Sequence, residues 1–290
     1  MRVLALTLAA LLTVMGPETP IPTQAMARST PAVAERIAYG NASSQFGELW
    51  LPQAAGPVPV VILVHGGCWQ SGYALDLMDP MAGDLYRQGI AVWNIEYRRL
   101  GESDGGYPGT FLDVGQAIDV LRTGPRRAQL DLHKIIAIGH SAGGHLALWA
   151  AARQRLPQGS PLRIAEPQRI RAVVTLAGIN DLARYAANGP ACGGAATIDA
   201  LNGARSRPQG TALSDTSPAT LLPIGVRQVV ASGTSDGIVP ARFGHDYAAL
   251  AQRAGDPVDL LDLPGDHFAL IDPGSSAWAT LRTKILELLK

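Results

Sequence analysis

Short apolar segments alternate with amphipathic segments along the chain from Phe46 to the C-terminus. The segment 58–64, Val-Pro-Val-Val-Ile-Leu-Val, has no charged position, which is typical of a strand buried on both faces. The predicted strands are Gly47–Leu51, Val58–Val64, Ile90–Glu96, Lys134–Ile138, Ile170–Leu176, Arg227–Ala231 and Val258–Leu263, and the predicted helices are Leu77–Gln88, Phe111–Arg122, Ala142–Arg153, Pro240–Ala254 and Ser275–Leu289. This alternation predicts an α/β fold with a mainly parallel central sheet and helices on both faces.

Residues 180–223 interrupt the alternation. This segment is rich in Gly, Pro, Ala and Asn, which predicts an irregular excursion with short helices. We expect it to lie over the carboxyl edge of the sheet, where ligands bind in open parallel sheets.

The first 27 residues have the pattern of a secretory signal peptide. A basic start at Met1-Arg2 precedes an apolar run from Val3 to Met15, and Ala25-Met26-Ala27 is a small-x-small cleavage signal. An uncleaved membrane anchor is the alternative, but the run is shorter than the roughly 20 residues that span a bilayer. We therefore expect a signal peptide at 1–27, a single domain at 28–290 with no membrane span, and a secreted or periplasmic location.

Charge and cysteine content narrow the partners. Lys+Arg and Asp+Glu number 24 each, so the net charge gives no reason to expect nucleic acid or an anionic membrane as a binding partner. We expect a monomer that acts on a small molecule. The only cysteines, Cys68 and Cys192, exclude a disulfide framework and a zinc-ribbon pattern. In an exported protein they can form one bridge, or they can be two small buried side chains.

Residues 139–143, Gly-His-Ser-Ala-Gly, lie between a predicted strand and a predicted helix. G-x-S-x-G in this context predicts a nucleophile elbow, a tight turn that raises the hydroxyl of Ser141 above the sheet. Gly139 and Gly143 leave room for the strained turn. The helix that follows supplies backbone N–H groups and a partial positive charge.

A serine nucleophile needs a base, and the base needs a carboxylate that orients it. His267 follows the last predicted strand, which is where the chain order Ser, Asp, His places the base. Asp236 follows the preceding strand and is the predicted orienting carboxylate, with Asp262 and Asp266 as its rivals. The predicted catalytic residues are therefore Ser141, Asp236 and His267.

The oxyanion of the tetrahedral intermediate needs hydrogen-bond donors. His65-Gly66-Gly67-Cys68-Trp69 follows the strand 58–64, and consecutive glycines let the backbone turn its N–H groups toward the charge. Gly66, Gly67 and the amide of Ala142 are the predicted oxyanion hole. We expect His65 to brace this loop rather than to transfer protons.

Aromatic residues near these motifs suggest a substrate pocket. We predict that Trp69, Tyr107 and Phe268 line it. His140 and His145 flank the serine without a carboxylate or cysteine at metal-ligand spacing, so we expect structural roles for both and no metal site.

These motifs resemble the HGGxW esterase/formamidase type of α/β-hydrolase, which includes kynurenine formamidase and related carboxylesterases. The resemblance runs from about Phe46 to the C-terminus and is carried by the segments 65–69 (HGGCW), 94–98 (NIEYR) and 139–145 (GHSAGGH), by Asp236 and by His267-Phe268. It implies an eight-stranded sheet, a Ser141-His267-Asp236 triad, no metal and no organic cofactor. Two departures are the signal peptide and Cys68 in the variable position of the oxyanion motif; both weaken the kynurenine formamidase interpretation.

The sequence thus predicts a serine hydrolase that cleaves carboxylic esters through an acyl-enzyme on Ser141. An arylformamidase or amidase would use the same groups and is the alternative. A non-catalytic hydrolase-like binding protein is a more distant alternative. Such proteins often lack a triad residue, whereas this sequence has a candidate for all three.

Overall fold

The computed structural model describes residues 33–290, and the predicted signal peptide lies outside the described residues. In this described part eight strands form one sheet, in the order β1-β2-β4-β3-β5-β6-β7-β8. The strands are β1 (Ala34–Ala38), β2 (Phe46–Trp50), β3 (Val58–Val64), β4 (Ala91–Ile95), β5 (Leu130–His140), β6 (Ala172–Leu176), β7 (Arg227–Gly233) and β8 (Val258–Leu263). All neighbouring pairs from β4 to β8 are parallel, whereas β2 is antiparallel to β1 and β4. The predicted α/β architecture is confirmed.

Residues 33–290 form seven α-helices. They are α1 (Asp79–Arg87), α2 (Gly109–Asp119), α3 (Ala142–Ala151), α4 (Leu182–Asn188), α5 (Gly194–Asn202), α6 (Ala241–Arg253) and α7 (Ser276–Leu288). Helix α6 shows why these segments become helices: Phe243, Tyr247, Ala248 and Ala251 recur at helical spacing and form its buried face. The Oγ of Ser275 caps α7 by accepting a hydrogen bond from the Trp278 amide at 2.9 Å.

The central strands supply the core. Residues 60–64 of β3 and 135–138 of β5 have essentially no solvent exposure, as expected for strands covered by helices on both faces. Val64 pairs with Gly139, so β3 and β5 end side by side at the carboxyl edge. The loops that follow them therefore start next to each other.

The structure extends the sequence-based assignment in three places. β1 was not predicted, β5 begins at Leu130 instead of Lys134, and the excursion 180–223 contains helices α4 and α5. Within residues 33–290 no helix combines the length and the hydropathy that a membrane span requires.

Candidate active site

Ser141 occupies a strained turn between β5 and α3. Its φ of 55° and ψ of −121° lie outside the regions that L-residues normally adopt. A Cβ on Gly139 would lie 2.0 Å from the carbonyl oxygen of Gly143, and one on Gly143 would lie 2.1 Å from that of Val64. Only glycine fits at both positions, so the G-x-S-x-G spacing is a steric requirement of this turn.

Backbone hydrogen bonds hold the Ser141 peptide from several sides. The Ser141 N–H donates to the Leu176 carbonyl at 2.8 Å. The Ser141 carbonyl accepts from the amides of Gly144 at 2.9 Å and Ile179 at 3.2 Å. The position of the nucleophile is therefore set by the backbone of β6, of α3 and of the loop after β6.

His267 and Asp236 form a buried hydrogen-bonded pair. The Nδ1 of His267 lies 2.7 Å from Oδ2 of Asp236, and both side chains are almost fully buried. The other carboxylate oxygen, Oδ1, accepts from the amides of Ile238 and Val239 at 2.8 Å each. These contacts fix the carboxylate, and a fixed carboxylate orients the imidazole with Nε2 available as a base.

The two rival carboxylates have other partners. Asp262 bonds His245 at 2.8 Å on the protein surface, and Asp266 accepts from the amides of Phe268 and Ala269 at 3.0 Å each. The structure pairs only Asp236 with His267 among these three carboxylates.

Ser141 and His267 line the same small cleft at the carboxyl edge. Its wall is mainly apolar and is formed by Gly67, Cys68, Tyr73, Leu77, His140, Ser141, Ile238, His267 and Phe268. The residues predicted to act together follow β5, β7 and β8, and the parallel sheet brings their loops to one edge.

The glycine loop after β3 lies directly against the nucleophile. A Cβ on Gly66 would come within 3.0 Å of the Ser141 Cβ, so a larger residue would collide there. In the described part of the chain the amides of Gly66, Gly67 and Ala142 have no hydrogen-bond acceptor, so all three predicted N–H groups are unpaired. His65 contacts the Gly66 carbonyl and Glu96 Oε1 at 2.8 Å each, in a bracing position.

Two predicted pocket residues need correction. Trp69 has no solvent exposure, because its left-handed backbone turns the indole inward, where it donates to Nδ1 of His145 at 3.2 Å. Tyr107 does not line the cleft; it stacks under Arg207, whose guanidinium carbon lies 4.0 Å from the ring centre. Of the three predicted aromatics, only Phe268 lines the cleft, and it is 37% exposed.

Sequence reasoning assigned only a structural role to His140, but the structure also places it in the cleft wall. Its Nε2 donates to the His267 carbonyl at 3.0 Å, and the two rings are 4.5 Å apart. Burial, and then the neighbouring His267, hold the pKa of His140 well below its usual range. A neutral His140 can therefore hold the His267 backbone without adding a second positive charge. In the sequence, the position of His140 directly before Ser141 was the feature that could have indicated this role.

The disulfide that the sequence left open is present. Cys68 and Cys192 are bonded, with their Cα atoms 5.2 Å apart, and the bridge ties the glycine loop to the excursion. Within residues 33–290 no group of three or more metal-ligating side chains comes together.

The family model of BD-FAE matches residues 48–249. The chain belongs to the BD-FAE family. The matched region spans β2 to the middle of α6 and includes Ser141 and Asp236, while His267 lies beyond it.

Curated relatives and solved structures add to this assignment. Esterase LipC of Mycobacterium tuberculosis is 31% identical over 42% of this chain and 30% of its own length. Kynurenine formamidase of Danio rerio is 28% identical over 42% of this chain and 39% of its own length. A truncated carbohydrate esterase from gut microbiota has a TM-score of 0.73 at 20% identity, over 90% of this chain and 98% of that one. The match thus spans less than half of either relative, and the structural likeness establishes the fold.

Proposed function

We propose that this protein is a serine hydrolase that cleaves carboxylic esters through an acyl-enzyme on Ser141. The observation that carries the proposal is the His267–Asp236 pair, hydrogen-bonded at 2.7 Å, in the cleft that Ser141 lines. Membership of the BD-FAE family and the esterase names among its relatives support it.

The reaction begins when Ser141 Oγ attacks the ester carbonyl carbon while His267 takes the hydroxyl proton. The negative charge on the carbonyl oxygen is stabilised by hydrogen bonds from the loop amides of Gly66 and Gly67 and from the amide of Ala142. Collapse of the intermediate breaks the bond to the alcohol oxygen, which receives the proton from His267. Water then attacks the acyl-enzyme by the same steps and releases the acid and free Ser141.

The size of the cleft favours short acyl groups. Its volume is about 30 Å³, and Leu77, Ile238 and Phe268 are among the residues that line it. We expect acetyl esters to be hydrolysed faster than octanoyl esters, since a cleft of this volume covers little of a long acyl chain.

The first test compares the wild-type protein with Ser141→Ala on p-nitrophenyl acetate, butyrate and octanoate. We expect the variant to lose turnover and also the mass adduct that a phosphonate probe leaves on the wild type. Ser235→Ala, an exposed serine on the Asp236 loop, is the control and should retain both. Labelling or turnover that survives Ser141→Ala would show that another residue is the nucleophile.

An arylformamidase is the second candidate, because one relative is named kynurenine formamidase. The same groups would attack a formamide carbonyl, with an amine as the leaving group. Paired rates on a short aryl ester and an N-formyl aniline separate the two: a higher kcat/KM on the formamide would favour the second candidate.

We also propose an exported, monomeric protein with a single domain over residues 28–290. The N-terminal pattern supports export, and so does the Cys68–Cys192 bridge, because disulfides persist in oxidising compartments. N-terminal sequencing of the extracellular or periplasmic fraction should begin at Arg28. Light scattering should give a mass near 28 kDa, roughly the 30.4 kDa chain less a 27-residue leader; a stable dimer would contradict the monomer.

A further inference from the structure

The neutral overall charge hides a strong polarisation along the chain. Residues 118–171 contain nine Lys or Arg and three Asp or Glu, whereas the remainder contains fifteen and twenty-one. Net charge therefore says nothing about this surface, because positive charge is collected in one part of the fold and offset elsewhere.

Much of that positive charge lines a trough at the amino edge of the sheet. Two concavities share a wall that includes Leu132, His133 and Pro167, so they form one continuous depression, here called the arginine trough. Its volume, about 560 and 750 Å³ for the two parts, far exceeds that of the Ser141 cleft. The exposed arginines that line it are Arg122, Arg127, Arg155, Arg163, Arg169 and Arg171.

These guanidinium groups are available to a ligand. Within residues 33–290 none of the six forms an ion pair with a carboxylate, and Glu166 is the one acidic residue among the lining side chains. Arg127 and Arg163 each use one N–H on a backbone carbonyl, which leaves their other donors free. By contrast Arg153, which also lines the trough, is buried and paired with Asp119 at 2.7 Å.

The trough is remote from the candidate active site. It is lined by residues at the start of β5 and just before β6 and β7, whereas Ser141 follows the end of β5. Eight residues of strand separate His133 from Ser141, which is roughly 25 Å at about 3.3 Å per residue. A ligand in the trough therefore does not contact the reacting ester.

We propose that the arginine trough binds a linear acidic polysaccharide, with carboxylate or sulfate groups of successive sugars paired to its guanidinium groups. Guanidinium is planar and binds such oxyanions through two parallel hydrogen bonds. The partner is a chain because the cationic groups line the walls of one continuous depression. The site would hold the protein on a polymer and raise the concentration of nearby substrate around the Ser141 cleft.

Two other occupants fit less well. No Phe, Tyr or Trp side chain among the described residues lines the trough, so it lacks the large aromatic surfaces on which single-stranded nucleic acid stacks. A flat lipid surface follows the concave walls less closely than a flexible chain does. Ile164, 41% exposed, is the one exposed large apolar side chain there, and one such residue is a weak membrane anchor.

The test measures binding of the full protein to polygalacturonate, with dextran as the neutral control polymer. The trough variant carries Arg155→Gln, Arg169→Gln and Arg171→Gln, three exposed residues of one concavity. We expect wild type to bind polygalacturonate and not dextran, with affinity that falls as salt rises. The trough variant should bind at least about tenfold more weakly, since each lost pair contributes a modest amount.

A matched variant separates a site from diffuse attraction. Arg205→Gln, Arg242→Gln and Arg253→Gln remove the same charge from exposed positions outside the trough. We expect less than about a twofold change in affinity for this variant. Turnover of p-nitrophenyl acetate should be unchanged in both variants. The binding measurement does not depend on turnover, so it tests the trough even if the protein proves not to hydrolyse esters.

Three outcomes would overturn the proposal: no binding of polygalacturonate by wild type, equal losses in the two triple variants, or tighter binding to phosphatidylglycerol vesicles than to the polymer. Thermal unfolding checks that the trough variant is folded. If it is not, the single change Arg171→Gln takes its place and should weaken binding about threefold; an unchanged affinity there would also contradict the proposal.

Discussion

The two oxygens of Asp236 have separate tasks. Oδ2 contacts the imidazole of His267, while Oδ1 is held by the amides of Ile238 and Val239. Because the backbone fixes one oxygen, the other has a defined direction, and His267 is oriented by its own loop and by Asp236 together.

Asp236→Asn should therefore lower kcat steeply without unfolding the protein. The amide oxygen can still accept from the backbone, but the NH₂ group then faces Nδ1 and favours the wrong imidazole tautomer. We expect a loss of about 10³ to 10⁴-fold in kcat. Steady-state kinetics on p-nitrophenyl acetate measure it, and circular dichroism checks the fold.

Asp262→Asn and Asp266→Asn are the matched controls for that change. Neither carboxylate contacts His267, so each variant should keep kcat within a few-fold of the wild type. A loss at Asp266 as large as that at Asp236 would show that the orienting carboxylate has been misassigned.

For single residues, the sequence predicted best the side chains whose proposed chemistry requires a fixed place in the fold. Ser141, Asp236 and His267 each follow a parallel strand, and the carboxyl ends of such strands meet at one edge. The aromatic residues were less predictable because sequence does not reveal the direction of a side chain in a loop. Trp69 points inward because its backbone is left-handed and His145 accepts its N–H.

Among the elements, the glycine loop after β3 depends most on its surroundings. Cys68 and Trp69 are consecutive non-glycine residues at φ of 54° and 57°, a conformation that costs each about 1 to 2 kcal/mol. Contacts at both residues keep the loop in this form: the disulfide from Cys68 to Cys192 and the indole contact with His145.

Removing the bridge should reduce activity as well as stability. In the double variant Cys68→Ser, Cys192→Ser the loop can relax and move the Gly67 amide away from the oxyanion, so we expect kcat to fall about tenfold. The free energy of unfolding should fall by up to about 5 kcal/mol, since the bridge closes a loop of 124 residues.

The assay is done at a temperature where circular dichroism shows the double variant folded. Reductant should lower kcat of the wild type and leave that of the double variant unchanged. An unchanged kcat in the folded double variant would show that the remaining contacts hold the loop alone.

Elements with strong patterns were predicted well, and the exceptions have physical reasons. β3 and β8 match their predicted bounds. Each is a segment of residues that favour strands, and each is followed by residues typical of turns. β1 is a five-residue edge strand, Ala-Glu-Arg-Ile-Ala, whose formation depends on pairing with β2. The residues of β1 alone do not predict that pairing, so the strand could not be assigned from its own sequence.

For the whole molecule, buried histidines make stability sensitive to acid. His145 is fully buried between the Trp69 indole and the Thr216 carbonyl, and burial lowers its pKa to about 4. Burial lowers the pKa of His140 in the same direction. As pH falls below about 6.5 the unfolded chain takes up these protons first, so the folded state loses stability.

The free energy of unfolding should therefore decrease between about pH 6.5 and pH 4, with about 3 kcal/mol arising from His145 alone. Above pH 6.5 these two groups should contribute no slope. Urea unfolding at a series of pH values measures the change. Carboxylates with lowered pKa, such as Asp84, act mainly below this window.

His145→Gln should flatten the slope, because glutamine can donate to the Thr216 carbonyl but does not titrate. His133→Gln, at an exposed position, should leave the slope unchanged. A wild-type protein equally stable at pH 6.5 and pH 4 would contradict this account.

The charge distribution is the molecular-scale feature that composition could not reveal. Equal numbers of acidic and basic residues favoured neither nucleic acid nor an anionic membrane as a partner, and they do not show that the arginines before β6 and around β5 lie at one edge of the sheet. These arginines already lie within residues 118–171 of the sequence, and β5 and β6 are neighbours in the sheet, so the amino ends of these strands bring them together.

The backbone bonds at Ser141 have a practical consequence. The peptide is held by the carbonyl of Leu176 and the amides of Gly144 and Ile179, and none of these bonds uses the hydroxyl. An alanine at this position should keep the shape of the cleft while removing its chemistry. Such a protein would retain uncleaved ligands, and mass spectrometry of compounds that it captures from extracts would offer a direct route to the natural substrate.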